Sequence, residues 1–175
     1  MFTKGGIMPK IIKNLESKLL TEARRQIEEL GYGAVTIRSV AAACGVGVGT
    51  VYTYYSSKDQ LLASYMLEDW NQCVTAINAV SNYSDTPKPV VRCIYDQLLA
   101  YAQRHQSIFR DQTALTAFAG FSGNYHRLLR SQIAAPLRKF CESDFPADFT
   151  AEALLTWTMA GTDFDVLYPM IQKLL

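Results

Sequence analysis

Histidine is nearly absent from this sequence, and cysteine is sparse and scattered. The two histidines, His105 and His126, stand too far apart for a local metal pair, and no acid flanks them at ligand spacing. The four cysteines, Cys44, Cys73, Cys93 and Cys141, are separated by 29, 20 and 48 residues, with no C-x-x-C. That spacing excludes a local zinc site and a dithiol redox pair, and reads as reduced, buried thiols. No metal and no cofactor is expected. No apolar run approaches the ~18 residues of a membrane helix, and Met1 to Lys13 lacks the apolar stretch of a signal peptide. A cytoplasmic protein without membrane contact is the expectation. Strand alternation, repeats and low-complexity stretches are missing. So are the Ser/His/Asp, Cys/His or carboxylate–histidine groupings that an all-helical enzyme would need.

What remains is an ordinary globular composition. With 49% apolar and 19% charged residues over 175 positions, the chain can bury a real core. The net charge of +1 hides an asymmetry: residues 1–58 hold eight Lys/Arg against four Glu, while residues 59–175 hold nine basic against twelve acidic groups. The basic end is the better candidate for a polyanion partner.

Periodicity is helical almost throughout. Ile12, Leu15, Leu19, Ala23, Ile27 and Leu30 recur at three- and four-residue steps, and Gly31 and Gly33 end that helix. Thr36 offers an N-cap for a short helix, Ile37 to Ala43, and Cys44-Gly45-Val46 is a tight turn. A third short helix spans about Gly47 to Tyr54. Ser56 and Asp59 approximate a capping box for a long fourth helix to Val80, with Leu62, Met66, Trp70, Cys73, Ile77 and Val80 inward. Further helices are expected over about 90–104, 107–119 and 124–141, the last kinked at Pro136. An eighth runs from Thr150 with weak points at Gly161 and Pro169. The fold class is therefore all-α. A division into a three-helix N-terminal domain, 1–56, and a helical domain, 57–175, follows from the long helix that joins them.

Two short helices around a glycine turn make a helix-turn-helix. Gly47, Val48 and Gly49 give the second helix a small leading face fit for the major groove. Val40, Ala41, Val46 and Val51 form the apolar wedge between the two. Thr36, Arg38, Thr50, Tyr52, Tyr54 and Lys58 lie around the rim with donors for phosphate oxygens. Gly45-x-Gly47-x-Gly49 is not a phosphate loop: it has neither fingerprint spacing nor a preceding strand. Tyr55 is the expected core member of the tyrosine group.

The run Thr36-Ile37, Val40-Ala41, Gly45-Val46, Gly49-Thr50-Val51-Tyr52-Thr53-Tyr54-Tyr55, Ser57-Lys58-Asp59 and Leu61, preceded by Gly31-Tyr32, resembles the N-terminal domain of the tetracycline repressor (TetR) family over about residues 10–65. The resemblance implies a homodimeric transcriptional repressor on double-stranded operator DNA, with a small-molecule effector. It implies phosphate contacts at Thr36, Thr50, Tyr54 and Lys58, and base contacts at Gly47, Val48 and Tyr52. Gly47 stands where the family commonly has Ser, so a side-chain cap is lost. Val48 then reads sequence through a thymine methyl. Aromatic and apolar residues of the second domain, Tyr65, Met66, Trp70, Tyr95, Tyr101, Phe109, Phe118, Phe121 and Tyr125, are candidates for an effector pocket or for core. Leu128, Leu129, Ile133, Leu137, Leu154, Trp157, Gly161 and Phe164 are candidates for a dimer interface built by the last two helices. The alternatives are a helical interaction module that has lost DNA binding, or an all-α enzyme.

Overall fold

The computed structural model describes residues 14–119 and 122–175, apart from the side chains at 115, 117–119, 122 and 123. Among the described residues the chain forms ten α-helices: α1 Leu15–Leu30, α2 Ile37–Ala43, α3 Val48–Tyr52, α4 Lys58–Asn82, α5 Pro87–Arg104, α6 Gln106–Arg110, α7 Gln112–Ala119, α8 Ser122–Ala134, α9 Asp144–Met159 and α10 Phe164–Ile171. The all-helical expectation holds. None of the described helices is long and apolar enough to cross a membrane.

The N-terminal stripe is buried as far as Ile27, while Leu30 at its end is exposed. Leu15, Leu19, Ala23 and Ile27 are buried, and α1 lies against α2 and α4. Ile12 and the rest of residues 1–13 lie outside the described residues. Val40, Ala41 and Val51 are fully buried between α2 and α3, and the half-buried Val46 packs against them. Gly45 turns the chain between these helices at φ +68°, a conformation that costs a side-chain-bearing residue on the order of 1 kcal/mol.

The long α4 is the strut of the molecule. Its face of Leu61, Leu62, Tyr65, Met66, Trp70, Cys73 and Ile77 is buried, and its main partner is α5. Behind this pair, α8 packs on α9 and α9 on α5. That bundle consumes the inner faces of α8 and α9. Ile133, Leu137 and Leu154 have no exposed surface, and Phe164 sits edge-on to Tyr95 at 5.5 Å. These four residues therefore close the protomer's own core, and their expected place at a subunit interface is corrected.

Boundaries differ where proline and aspartate act. Pro87 opens α5 at its first turn, where a missing N–H costs nothing, so the helix begins before the expected Val90. Asp111 splits the expected 107–119 helix: its backbone is extended, and its carboxylate accepts from Thr113 N (2.8 Å) and Ala114 N (3.1 Å) to cap α7. Pro136 lies in a 3-10 segment, Ala135–Phe140, rather than at a kink. Helix α9 starts at Asp144, because Pro146 falls within the first turn. Gly161, at φ +84°, ends that element, while Pro169 is carried inside α10. The cap of α4 lies one residue later than expected: Ser57 Oγ accepts from Gln60 N at 3.1 Å, and Gln60 answers to Ser56 N.

Candidate nucleic-acid interface and effector cavity

The helix-turn-helix is built on reciprocal caps. Thr36 Oγ1 accepts from Ser39 N at 3.0 Å, and Ser39 Oγ accepts from Thr36 N at 3.1 Å. Ser39 Oγ also donates to Gln26 Oε1 at 2.6 Å, which ties α2 to α1. Gly47 caps α3 through its backbone alone, and a Cβ there would meet only Thr50 Oγ1, at 3.9 Å. The serine common in the resembling family would fit, so its absence is a choice of sequence rather than of space.

Of the eight residues expected at DNA, Thr36, Arg38, Val48, Tyr52 and Lys58 border one open groove of about 540 Å³ between α2, α3 and the start of α4. Gly47 and Thr50 are exposed at the head of α3, and Tyr54 is exposed just past its end. Tyr55 is buried, as its position predicted. Lys58 is held rather than loose: Nζ donates to Tyr32 O at 3.1 Å and lies 4.0 Å above the Tyr32 ring, while the Tyr32 hydroxyl donates to Asp59. The N-terminal charge excess overstates the free cations. Arg25 is spent on Glu22 and Glu29, and Arg24 on Asp69.

That last pair belongs to a cluster the sequence reading missed. Asp69 of α4 is fully buried and receives Arg24 from α1, with Arg104 Nη1 at 3.6 Å and His105 Nε2 at 3.2 Å from the end of α5. Arg24 also covers the Tyr65 ring at 4.6 Å. The signal was present: Asp69 falls within the apolar stripe 62, 66, 70, 73, where a carboxylate must be paired. His105 is enclosed by Tyr65 and Tyr101, with centroids at 5.0 and 4.5 Å, and neither ring nitrogen has an aligned hydrogen bond.

Burial pulls the His105 imidazole down to about 4, opposed by Asp69 and assisted by Arg104 and Arg24. The unfolded chain therefore binds this proton more readily between about pH 6.5 and 4, and stability drains away as pH falls through that window. The melting midpoint should therefore fall between pH 7 and pH 5. His105→Phe should show a correspondingly smaller acid shift in a thermal melt. An identical shift in both proteins would remove His105 from the account.

One turn away, a cavity of about 220 Å³ opens between α4, α5, α8 and α9. Met66, Trp70, Tyr101, Phe109 and Tyr125, all candidates from the sequence, line it; sequence reasoning did not pick out Leu98 or Leu155. Tyr65 and Tyr95 do not reach it. Tyr65 faces Arg24 and His105, and Tyr95 turns to Phe164 and donates to Thr162 O at 3.1 Å, so both are corrected to core. Phe121 and the Phe118 side chain lie outside the described residues. Inside the cavity, Tyr101 OH donates to Met66 O at 3.3 Å and stands 3.3 Å from Tyr125 OH, and burial raises its pKa well above the usual phenol range. At the mouth, His126 Nε2 is 2.9 Å from Glu152.

Of the interface candidates not consumed by the core, Leu128, Trp157 and Gly161 are exposed, and Leu129 is half-buried on the cavity wall. Trp157 joins Phe149, Val166, Met170 and Leu174 around a surface groove of about 580 Å³ between α9 and α10. The last four were not anticipated; their helices were expected to be one continuous element.

Comparison with known proteins agrees with this geometry. A family model described as "Bacterial regulatory proteins, tetR family" matches residues 19–65. An uncharacterized HTH-type transcriptional regulator of Mycobacterium tuberculosis is 41% identical over 63 residues, 35% of this chain and 30% of that protein. The HTH-type regulator YuxN of Bacillus subtilis is 23% identical over 94 residues, 51% of this chain and 32% of that protein. The chain thus aligns over about a third of the length of these relatives. Solved structures match the whole fold. The regulator SCO7518 of Streptomyces coelicolor has a TM-score of 0.70 at 15% identity, over 90% of this chain and 96% of its own. The TetR family repressor AlkX of Dietzia has a TM-score of 0.65 at 15% identity, over 90% and 98%. Residues 19–65 of the chain thus match the tetR family of bacterial regulatory proteins in sequence, and the described residues share their fold with solved structures of transcriptional regulators.

Proposed function

We propose that the protein is a cytoplasmic, ligand-responsive repressor that binds a two-fold operator as a homodimer. The observation that carries this reading is the shared groove of Thr36, Arg38, Val48, Tyr52 and Lys58. It combines hydroxyl and cationic donors for phosphates with one apolar side chain, Val48, at the leading turn of the recognition helix. Thr36, Thr50, Tyr54 and Lys58 take phosphates; Gly47, Val48 and Tyr52 face bases. A second copy docks on the α9–α10 groove, each Trp157 entering the partner's groove about a two-fold axis.

Helix α4 connects the three sites. Its first residue is Lys58, its middle lines the cavity through Met66 and Trp70, and Asp69 between them holds Arg24 of α1. An effector that prefers a different tilt of α4 would alter the spacing of the two recognition helices, which must match one DNA turn of roughly 34–36 Å or a multiple. It shifts that balance only by its differential affinity for the two forms.

The test is Lys58→Ala. It should weaken binding to specific and random duplexes alike and flatten the slope of log affinity against log salt by about one per contact, hence about two per dimer. An unchanged slope would remove Lys58 from the phosphate set.

A further inference from the structure

The cavity between α4, α5, α8 and α9 carries enough chemistry to name the class of its ligand. The argument rests on the effector reading above.

Size comes first. A dry cavity of about 150 Å³ accommodates benzene. At about 220 Å³ this one has room for a single ring with a short substituent.

Charge comes second. The described lining is Met, Leu, Trp, Tyr, Phe and Thr, with one titratable base, His126 at the mouth, and that is occupied by Glu152 at 2.9 Å. Residues 115–123, which lead into α8, contain no charged residue in the sequence. A carboxylate ligand would lose its hydration without gaining a cation. A cationic ligand fares no better: Asp69 is committed to Arg24 and Arg104, and Glu152 to His126, with Arg130 at 3.9 Å.

Polarity comes third. Deep in the cavity, the Tyr101 hydroxyl reaches both Tyr125 OH and Met66 O only at 3.3 Å, long for bonds whose preferred length is about 2.7–2.8 Å. A ligand hydroxyl beside this pair would form shorter bonds than those it meets. Trp70 and Tyr101 stand edge to face, centroids 5.6 Å apart, the arrangement that also receives a third ring well.

We propose that the cavity binds an uncharged, single-ring hydroxyaromatic compound, of the alkylphenol class, with its hydroxyl at the Tyr101–Tyr125 pair.

Three matched probes test this on the full chain by titration calorimetry at pH 7.5: 4-ethylphenol, ethylbenzene and 4-ethylbenzoate. The phenol should bind at least about tenfold more tightly than ethylbenzene, and the benzoate should give no binding heat. Tyr101→Phe should bring the phenol and ethylbenzene to within about threefold while leaving ethylbenzene affinity unchanged. If that variant does not fold, Tyr125→Phe serves the same comparison. Tightest binding by the benzoate, no binding by any probe at millimolar concentration, or a phenol advantage that survives both variants overturns the proposal. Release of duplex DNA is measured separately. A phenol that binds as described but leaves the DNA complex intact supports the ligand class and contradicts the effector reading.

Discussion

Trp157→Glu is expected to turn a dimer into a monomer at micromolar concentration and to abolish tight binding to a two-fold site, with helix content unchanged. In the protomer Trp157 is 54% exposed, so its replacement leaves the core intact. In the proposed dimer it is buried against Phe149, Val166 and Met170 of the second copy. Losing a buried aromatic anchor costs about 2–4 kcal/mol, and the two-fold axis applies the loss twice. A carboxylate placed there also loses water without a partner. The combined effect, about 4–8 kcal/mol, exceeds what a micromolar dimer can absorb. Sedimentation velocity decides the matter: a wild-type monomer, or a Trp157→Glu dimer, ends the α9–α10 interface.

Asp69→Ala should destabilise the bundle strongly. It removes the one buried carboxylate that Arg24, Arg104 and His105 share, and leaves the two arginines without their partner. Breaking a buried pair costs 3–5 kcal/mol; the arginine side chains are 31% and 42% exposed and recover some water, so about 3 kcal/mol is expected. In a chain of this length that lowers the melting midpoint by roughly 6–12 °C. A double-mutant cycle with Arg24→Met should show a coupling of about 1–3 kcal/mol, because the two residues form one contact. Independent effects would mean that Asp69 does not join α1 to the α4–α5 bundle.

Much of this molecule was legible from residue spacing, and the exceptions have physical causes. The stripe from Leu15 to Ile27, the cap at Thr36, the turn at Gly45 and the buried face of α4 all follow from local rules, and all are where those rules put them. The helix-turn-helix was readable because its motif is contiguous and its exposed face is short. The second domain was less readable because apolar periodicity says that a residue is buried but not against what. Ile133 and Trp157 looked alike in sequence; one has no exposed surface and the other projects into solvent. Tyr95 and Tyr101, six residues apart on one helix, ended on different sides of the bundle for the same reason. Asp69 was overlooked because its partners come from α1 and α5, at separations no local pattern records.

The central claim, that this chain binds duplex DNA through its helix-turn-helix as a dimer, is tested most directly by salt titration. The full chain is titrated onto a labelled duplex enriched from a random pool, and anisotropy is read from low to moderate salt. Lys58 and Arg38 from each protomer give four cationic contacts, so log affinity should fall against log salt with a slope of about −3 to −4. A slope near zero, or no binding to any duplex at low salt, would contradict the account.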